Sequence, residues 1–178
     1  MIILIDTETT GLVKPDALPL KEQPHMIEIY CCKVNAELDV VDEFESMVKP
    51  PVPLPEHITK ITGIEEYDLM NAPDFQDIYP QLACFFVGVE TMVAHNIGFD
   101  RAILNIELQR IERNMNFPWP PESICTAERS VGIEGRRLGL KDLYQWCMDK
   151  PMESHHRAKG DVLALLDCYK YMRLEGLV

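Results

Sequence analysis

Apolar runs in the first fifty positions have the lengths and spacings of β-strands. Residues 2–5 are four consecutive aliphatic side chains, residues 26–34 form a longer apolar run, and residues 43–49 alternate between apolar and polar. Each run is bounded by Pro, Gly or Asn, which are typical of turns. The pattern predicts three early strands joined as a meander.

Later segments change to helical spacing. We predict a helix at 74–86, a buried strand at 90–96, an amphipathic helix at 101–113, a short strand leading into a helix at 123–132, and a short helix at 140–148. Residues 50–64 are rich in proline and lack periodicity, so they predict a loop with little regular structure.

The clearest helical pattern lies at the C-terminus. A helix opening at Asp161 would place five apolar side chains on one face: Val162, Leu165, Leu166, Tyr169 and Met172. Together these elements predict an α/β fold with a mixed central sheet flanked by helices. With 178 residues, the chain has the size of one domain, which we place at 1–178.

Charge and composition exclude several classes of protein. Asp and Glu total 29 against 17 Lys and Arg, a net charge of −12, so a non-specific DNA-coating protein is not expected. The six cysteines form no C-x-x-C pair and predict reduced, buried thiols. Because no apolar run is long enough to span a bilayer and no signal peptide is evident, we expect a soluble, cytoplasmic protein without a membrane partner.

Two acids follow the first apolar run. In an extended strand, side chains two positions apart share a face, so Asp6 and Glu8 would lie close together and repel. Sharing a proton or a hard divalent cation such as Mg²⁺ would relieve that repulsion. Alternatively, the strand ends at residue 5 and residues 6–11 form a solvated turn. This stretch leaves both interpretations open.

Two further acids stand at comparable positions. "VAHNIGFD" delivers Asp100 just ahead of a helix, and "HHRAKGDVLALL" places His156 in a turn and Asp161 at the start of the last helix. Each acid alone is typical of an ordinary helix cap. Acids gathered at strand ends and helix starts, however, indicate the place where α/β sheets carry their sites.

The ordered motifs "DTETTG", "HNIGFD" and "HHRAKGD" resemble those of the DEDDh exonucleases, the DnaQ-like group named for four acids and a histidine. The resemblance runs from residue 2 into the final helix. It implies a ribonuclease H-like fold and a 3′–5′ exonuclease that releases nucleoside 5′-monophosphates. "VAHNIGFDRAIL", "ICTAERS" and "HHRAKGDVLALLDCY" are similar to the exodeoxyribonuclease X branch, which favours DNA as the substrate.

The resemblance also implies a catalytic set. Asp6, Glu8, Asp100 and Asp161 would bind two Mg²⁺ ions, for which Mn²⁺ could substitute. His156 would accept a proton from the attacking water, a role that suits histidine because its side chain titrates near neutral pH.

Three apolar side chains are implied to contact the substrate. Phe99 would stack on the terminal nucleotide, and Ile61 and Ile64 would form a wedge between bases. The competing interpretation places the same three side chains in the protein core.

Polar substrate contacts are implied as well. The backbone around Thr9 and Thr10 would hold the 3′-hydroxyl, and Asn96 would support the site. His95 and His155 are taken as bystanders. A cluster of six basic residues could contact the substrate backbone or form an ordinary solvated surface: Arg129, Arg136, Arg137, Lys141, Arg157 and Lys159.

Several alternatives accompany this interpretation. The expected partners are DNA 3′ ends, with single strands favoured, although RNA and an oligoribonuclease-like activity are also compatible with the motifs. A polymerase partner is compatible too. A binding module that grips a 3′ end without cutting it is a further alternative, but all five catalytic positions are filled. A haloacid-dehalogenase-type phosphatase would have a second Asp two residues after its nucleophile, where this chain has Glu8.

Overall fold

The computed structural model describes residues 1–15, 17–153 and 156–178. Within these residues, five strands form one mixed sheet in the order β3-β2-β1-β4-β5. The strands are β1 (Ile2–Thr9), β2 (Met26–Val34), β3 (Val40–Met47), β4 (Thr91–Ala94) and β5 (Glu122–Cys125). The first three pair as an antiparallel meander, as predicted, while β4 lies parallel to β1 and β5 parallel to β4.

Helices cover both faces of the sheet. They are α1 (Glu56–Thr62), α2 (Glu66–Leu69), α3 (Phe75–Phe86), α4 (Ile97–Arg110), α5 (Thr126–Arg129), α6 (Val131–Glu134), α7 (Leu140–Met148) and α8 (Ala158–Leu174). Among the described helices, none has the length and apolar character needed to cross a membrane. The predicted α/β architecture with a mixed sheet flanked by helices is confirmed.

The central strand β1 sends alternate side chains into two different cores. Ile3 and Ile5 pack with Leu104 of α4 in one apolar cluster. Leu4 points to the opposite face and packs with Leu165 of α8 in a second cluster. Because alternation continues along a strand, each later residue of β1 is directed towards either α4 or α8. The apolar face predicted for α8 is buried, from Val162 to Met172.

Three sequence-based boundaries at the acids are corrected. Strand β1 continues through Thr9, and its residues Asp6 and Glu8 pair with Tyr30 and Glu28 of β2. The alternative prediction of a solvated turn at residues 6–11 is therefore wrong. The neighbouring strand supplies the backbone hydrogen bonds that keep the polar end of β1 extended. Likewise α4 and α8 begin at Ile97 and Ala158, three residues before the acid expected at or ahead of each helix start.

The loop predicted at 50–64 is also wrong in part, because α1 occupies its second half. Proline is confined to the residues up to Pro55, which precedes the helix, and Gly63 ends the helix with a left-handed backbone (φ 71°). On the helix surface, Lys60 and Glu56 form an exposed pair with Nζ and Oε1 2.6 Å apart.

The last turn of α4 anchors the segment that leads into β2. The Arg110 guanidinium donates to the side-chain Oε1 of Glu107 (2.7 Å) and to three backbone carbonyls: those of Leu20, Gln23 and Pro24 (2.8–3.0 Å). Glu107, which is 5% exposed, also accepts the backbone N–H of Met26 (2.9 Å). This buried ion pair fixes the start of β2 against α4.

We expect the Arg110→Ala substitution to lower the free energy of unfolding by about 3 kcal/mol, since it leaves the buried Glu107 charge unpaired. Urea denaturation measures the change. The matched control is Lys60→Ala, which breaks an exposed ion pair and should cost no more than about 0.5 kcal/mol. Equal losses in the two variants would contradict a buried, stabilising role for Arg110.

Candidate active site

Three carboxylates from two elements meet at the carboxyl end of β1. Asp6 and Glu8 follow Leu4 in the strand alternation and therefore face α8, whose first turn carries Asp161. One oxygen of each residue lies within 4.8 Å of the others. All three side chains are half-buried. The structure thus brings Asp161 beside Asp6 and Glu8, although it lies near the other end of the sequence.

Asp100 approaches the same strand end from the other face of the sheet. It is 2% exposed, and its Oδ1 accepts a hydrogen bond from the Thr7 hydroxyl at 2.8 Å. Thr7 lies between Asp6 and Glu8 and faces α4, which carries Asp100. Sequence reasoning missed Thr7, although the alternation of β1 directs it to the face opposite the two acids.

His156 precedes α8 and is tied to Asp161 through its backbone. Its N–H donates to Oδ2 of Asp161 at 3.0 Å. The residue is exposed and has a left-handed backbone with φ of 62°. His156 and Asp161 line a cavity of about 460 Å³, which is also bounded by Leu140 and Lys141 at the start of α7.

Burial and mutual repulsion make the acids reluctant to ionise together. Burial, and then the charges of Asp161, Glu28 and Asp100, raise the pKa of Glu8 to about 8. Burial likewise raises the pKa of Asp100 to about 7, although the Thr7 hydrogen bond opposes the shift. The pKa of Asp6 lies well above its usual range, because of burial first and the neighbouring carboxylates second. In the metal-free protein the site therefore holds protons near neutral pH.

These donors fit hard divalent cations. Asp6, Glu8 and Asp161 offer carboxylate oxygens alone, the ligand type that Mg²⁺ and Mn²⁺ prefer. A bound cation would remove the repulsion that raises the pKa values. The arrangement can therefore exchange protons for metal ions.

The threonines that follow the acids belong to the backbone network. The Thr9 hydroxyl donates to the Gly11 carbonyl at 2.7 Å, and the Thr9 side chain is buried. Thr10 pairs with His25, whose N–H donates to the Thr10 hydroxyl at 2.9 Å, while the Thr10 N–H donates to the His25 carbonyl at 2.8 Å. These bonds fix the path of the chain as it leaves β1.

The other residues implied to contact the substrate occupy different environments. Phe99 is half-buried against the core cluster beneath α4, and Asn96 is exposed immediately before α4. Ile61 projects from α1 and is 50% exposed. Ile64 is fully buried beside Leu69, an environment that matches the alternative role of a core residue.

Of the two histidines taken as bystanders, His155 lies outside the described residues, whereas His95 lies within them. The His95 ring is 3.0 Å from the Thr126 hydroxyl through Nδ1 and 3.1 Å from the Leu138 carbonyl through Nε2. Burial lowers the pKa of His95 to about 4. A carbonyl only accepts, so the neutral ring donates from Nε2 and accepts at Nδ1. His95 links β4, α5 and the segment before α7.

The six basic residues of the last third divide into two groups. Arg157 donates to Glu28, and Lys159 to Glu43 and Glu45, so acids of the same chain engage both cations. The remaining four lie nearer α5 and α7: Arg129, Arg136, Arg137 and Lys141. Of these, Arg136 forms a longer, exposed ion pair with Asp142 (3.9 Å). Arg137 donates to the side chain of Asn96 at 3.1 Å, beside the start of α4.

The raised pKa of Glu8 predicts how stability changes with pH. In the folded, metal-free protein Glu8 binds its proton up to about pH 8, against 4.5 for an ordinary glutamate, so its contribution to stability falls as pH rises through this window. We expect melting temperatures in EDTA to decline more steeply from pH 5 to pH 8 for the wild type than for Glu8→Gln. Stabilisation by added Mn²⁺ should grow over the same range and be weakened in Glu8→Gln.

The control for this comparison is Glu56→Gln, which alters a side chain that is 83% exposed. It should keep the wild-type pH profile and the wild-type response to Mn²⁺. Identical pH slopes for the wild type and Glu8→Gln would contradict the proton-holding site.

Solved structures share the fold. Exonuclease X in complex with 5′-overhanging duplex DNA superposes with a TM-score of 0.71 at 24% identity, covering 99% of this chain and 93% of that one. The nuclease domain of 3′hExo, a DEDDh family member bound to rAMP, has a TM-score of 0.77 at 17% identity, with coverages of 98% and 92%. The ribonuclease H-like architecture implied by the motifs is confirmed.

Sequence similarity extends over most of the chain. The PolC-type DNA polymerase III of Caldanaerobacter subterraneus subsp. tengcongensis is 28% identical over 176 residues, which cover 94% of this chain and 11% of the polymerase. This chain thus spans about a tenth of that relative's length. The exonuclease family model RNase_T matches residues 3–169. The chain therefore belongs to the RNase_T family of exonucleases.

Proposed function

We propose that the protein is a metal-dependent 3′–5′ exonuclease, which removes nucleoside 5′-monophosphates from the 3′ end of a nucleic acid, with DNA as the favoured substrate. The convergence of Asp6, Glu8 and Asp161 at the end of β1 carries the proposal. Family membership supports the reaction class, since the model that matches the chain is that of exonucleases. We also propose that residues 1–178 act as one catalytic domain.

Asp6, Glu8, Asp100 and Asp161 would hold the metal ions in this proposal. Two Mg²⁺ ions are expected, and Mn²⁺ could substitute for them. Bound there, divalent cations would neutralise the carboxylates and stabilise the negative charge that develops on the scissile phosphate. The carboxylate-only donor set and the raised pKa values of Glu8 and Asp100 support an assignment to hard cations.

His156 would act as the general base. A ring nitrogen of His156 accepts a proton from water as the water oxygen bonds to phosphorus. The bond from phosphorus to O3′ of the preceding nucleotide breaks, and the oxygen leaves with the electron pair and takes a proton from solvent. The hydrogen bond from the His156 N–H to Asp161 supports this role, because it holds the residue beside the acids.

DNA is favoured over RNA on two grounds. Three stretches of the chain are similar to exodeoxyribonuclease X, and the PolC-type relative is named as a DNA polymerase. An exoribonuclease is the second candidate, because the related 3′hExo nuclease domain was solved with rAMP. The PolC-type relative also motivates the proposal of a polymerase partner.

Substrate binding to so acidic a protein requires local positive charge. Exposed Arg136 and Arg137 lie between α6 and α7, and Arg137 contacts Asn96 ahead of α4. We propose that these two arginines contact phosphates of the nucleic acid behind the 3′ end. Phe99, Ile61 and the backbone at Thr9 and Thr10 remain the proposed contacts to the terminal nucleotides.

Digestion of 5′-labelled single-stranded DNA and of matching RNA tests the activity and ranks the substrates. We expect Mg²⁺-dependent shortening from the 3′ end, with DNA cut faster, and no shortening in EDTA. Asp6→Ala should abolish cutting, and His156→Ala should slow it by about 100-fold or more, because a general base contributes at least that much.

Matched controls are Asp42→Ala on the exposed strand β3 and His57→Ala on the exposed side of α1, both with wild-type rates expected. If neither polymer is cut while the wild-type protein binds Mn²⁺, the non-catalytic binding module becomes the better description.

Substitution of Arg136 and Arg137 by Ala together should raise KM for a DNA strand and flatten its dependence on salt, because fewer counterions are released on binding. Kinetics at increasing KCl measure both effects. The control is Lys170→Ala with Arg173→Ala in the last turns of α8, which removes the same charge from a region about 13 to 18 Å along the helix from Asp161. An unchanged salt slope in the Arg136 and Arg137 variant would refute the phosphate contacts.

A further inference from the structure

A fifth carboxylate lies beside the four acids, but its oxygens accept hydrogen bonds from an arginine and from a helix start. Glu28 of β2 is paired with Glu8 across the sheet and is 2% exposed. Both of its oxygens accept hydrogen bonds. Arg157 donates from Nη2 to Oε1 at 2.7 Å and from Nε to Oε2 at 3.1 Å, and the Ala158 N–H donates to Oε2 at 3.0 Å. Both carboxylate oxygens of Glu28 therefore have hydrogen-bond partners of their own.

Those partners are the two residues that follow His156. Ala158 is the first residue of α8, so Glu28 accepts one of the backbone N–H groups that a helix start leaves unpaired. Arg157 joins this helix start to His156. These hydrogen bonds attach Arg157 and Ala158 to β2. Both residues lie within two positions of His156, and Ala158 lies three positions before Asp161.

The conformation of His156 explains why such fastening is needed. Its left-handed backbone (φ 62°) is unfavourable for a residue with a Cβ and persists only where neighbouring contacts hold it. On one side the His156 N–H is bound to Asp161 at 3.0 Å. On the other side the Glu28–Arg157 pair holds the next residue, so the turn is restrained at both ends.

Charge supports the same assignment. Without its partner, Glu28 would be another buried negative charge beside Asp6 and Glu8, which already repel each other. The Arg157 guanidinium balances Glu28 and also favours ionised Glu8. A cation committed in this way is poorly placed to serve as a mobile contact for phosphate.

We propose that Glu28 and Arg157 form a positioning pair, which holds His156 beside Asp161 for the reaction, and that Arg157 does not serve as a contact to the substrate backbone. This inference rests on the proposed function. Neither residue is expected to touch the reacting atoms.

Hydrogen exchange of the metal-free protein tests the positioning independently of activity. In Glu28→Gln and in Arg157→Gln we expect the amides of His156 and Ala158 to exchange on the order of tenfold faster, with unchanged protection of Leu165 to Met172 in the same helix. Because Arg157→Gln leaves the buried Glu28 charge unpaired, the double variant Glu28→Gln/Arg157→Gln is included. It removes both charges and should show the same local loss of protection if the singles fold poorly.

Kinetics distinguish positioning from substrate contact. On the 4-nitrophenyl ester of thymidine 5′-monophosphate and on a DNA strand, both single variants should lose about 10- to 100-fold in kcat with little change in KM, as expected for a misplaced group. The double variant should be no worse than either single, since the residues act as a unit. Arg157→Lys should not restore kcat, because an ammonium cannot reproduce the two-pronged contact. Arg173→Gln, which removes a positive charge from the far end of α8, is the control.

Two results would overturn the proposal. One is unchanged exchange at His156 and Ala158 in all the variants. The other is a rise in KM for DNA alone that Arg157→Lys corrects, which would make Arg157 a phosphate contact. If the wild type cuts neither substrate, the proposed function fails, and the exchange measurements still decide whether the pair holds the turn.

Discussion

Repulsion among carboxylates at the end of one strand is the constraint on which the rest of this structure depends. Strand β1 presents Asp6 and Glu8 to α8 and its intervening threonine to α4, and each helix returns another acid to the same place. Such a cluster is unfavourable without protons or cations. The apolar side chains that precede the acids in β1 pack into clusters on both faces of the sheet, and this packing holds the strand in position.

The acids around this strand end differ in how their charge is accommodated. Asp100 has a hydroxyl donor, Asp161 has the His156 N–H, and Glu28 has a guanidinium and a helix start. Glu28 is thus locked into the framework, whereas Glu8 keeps its capacity to exchange a proton for a cation. Functional sites commonly contain residues that lower the stability of the folded protein, and interactions elsewhere in the fold compensate for that loss.

Sequence patterns predicted the elements that are governed by periodicity. The buried face of α8 follows from the spacing of its apolar residues, and the meander follows from three short apolar runs. The extension of β1 beyond Ile5 could not be read in the same way, because backbone pairing with β2 outweighs the polar character of its side chains. Helix α1 was not predicted, because the prolines that precede it made the whole segment resemble a loop.

The residues of the site likewise divide into those that local sequence patterns indicate and those whose role depends on tertiary contacts. Carboxylates at strand and helix ends could be found from local motifs, since their chemistry is visible in the residues themselves. The hydrogen-bonded pair of Glu28 and Arg157 joins positions 129 residues apart, so no local motif indicates it. Sequence reasoning therefore left Arg157 among six basic residues that could contact the substrate or form a solvated surface, whereas tertiary pairing directs it towards β2.

The alternation of β1 limits which kinds of genetic change the chain can tolerate. A substitution alters one side chain and leaves its neighbours on their own faces. Deletion or insertion of a single residue between Ile3 and Asp6 would instead exchange the two faces, turning the acids towards α4 and the threonine towards α8. Length changes in this strand should therefore be far more damaging than in the segments that connect the helices. A change of one residue moves every later side chain of the strand, the acids included, to the opposite face of the sheet.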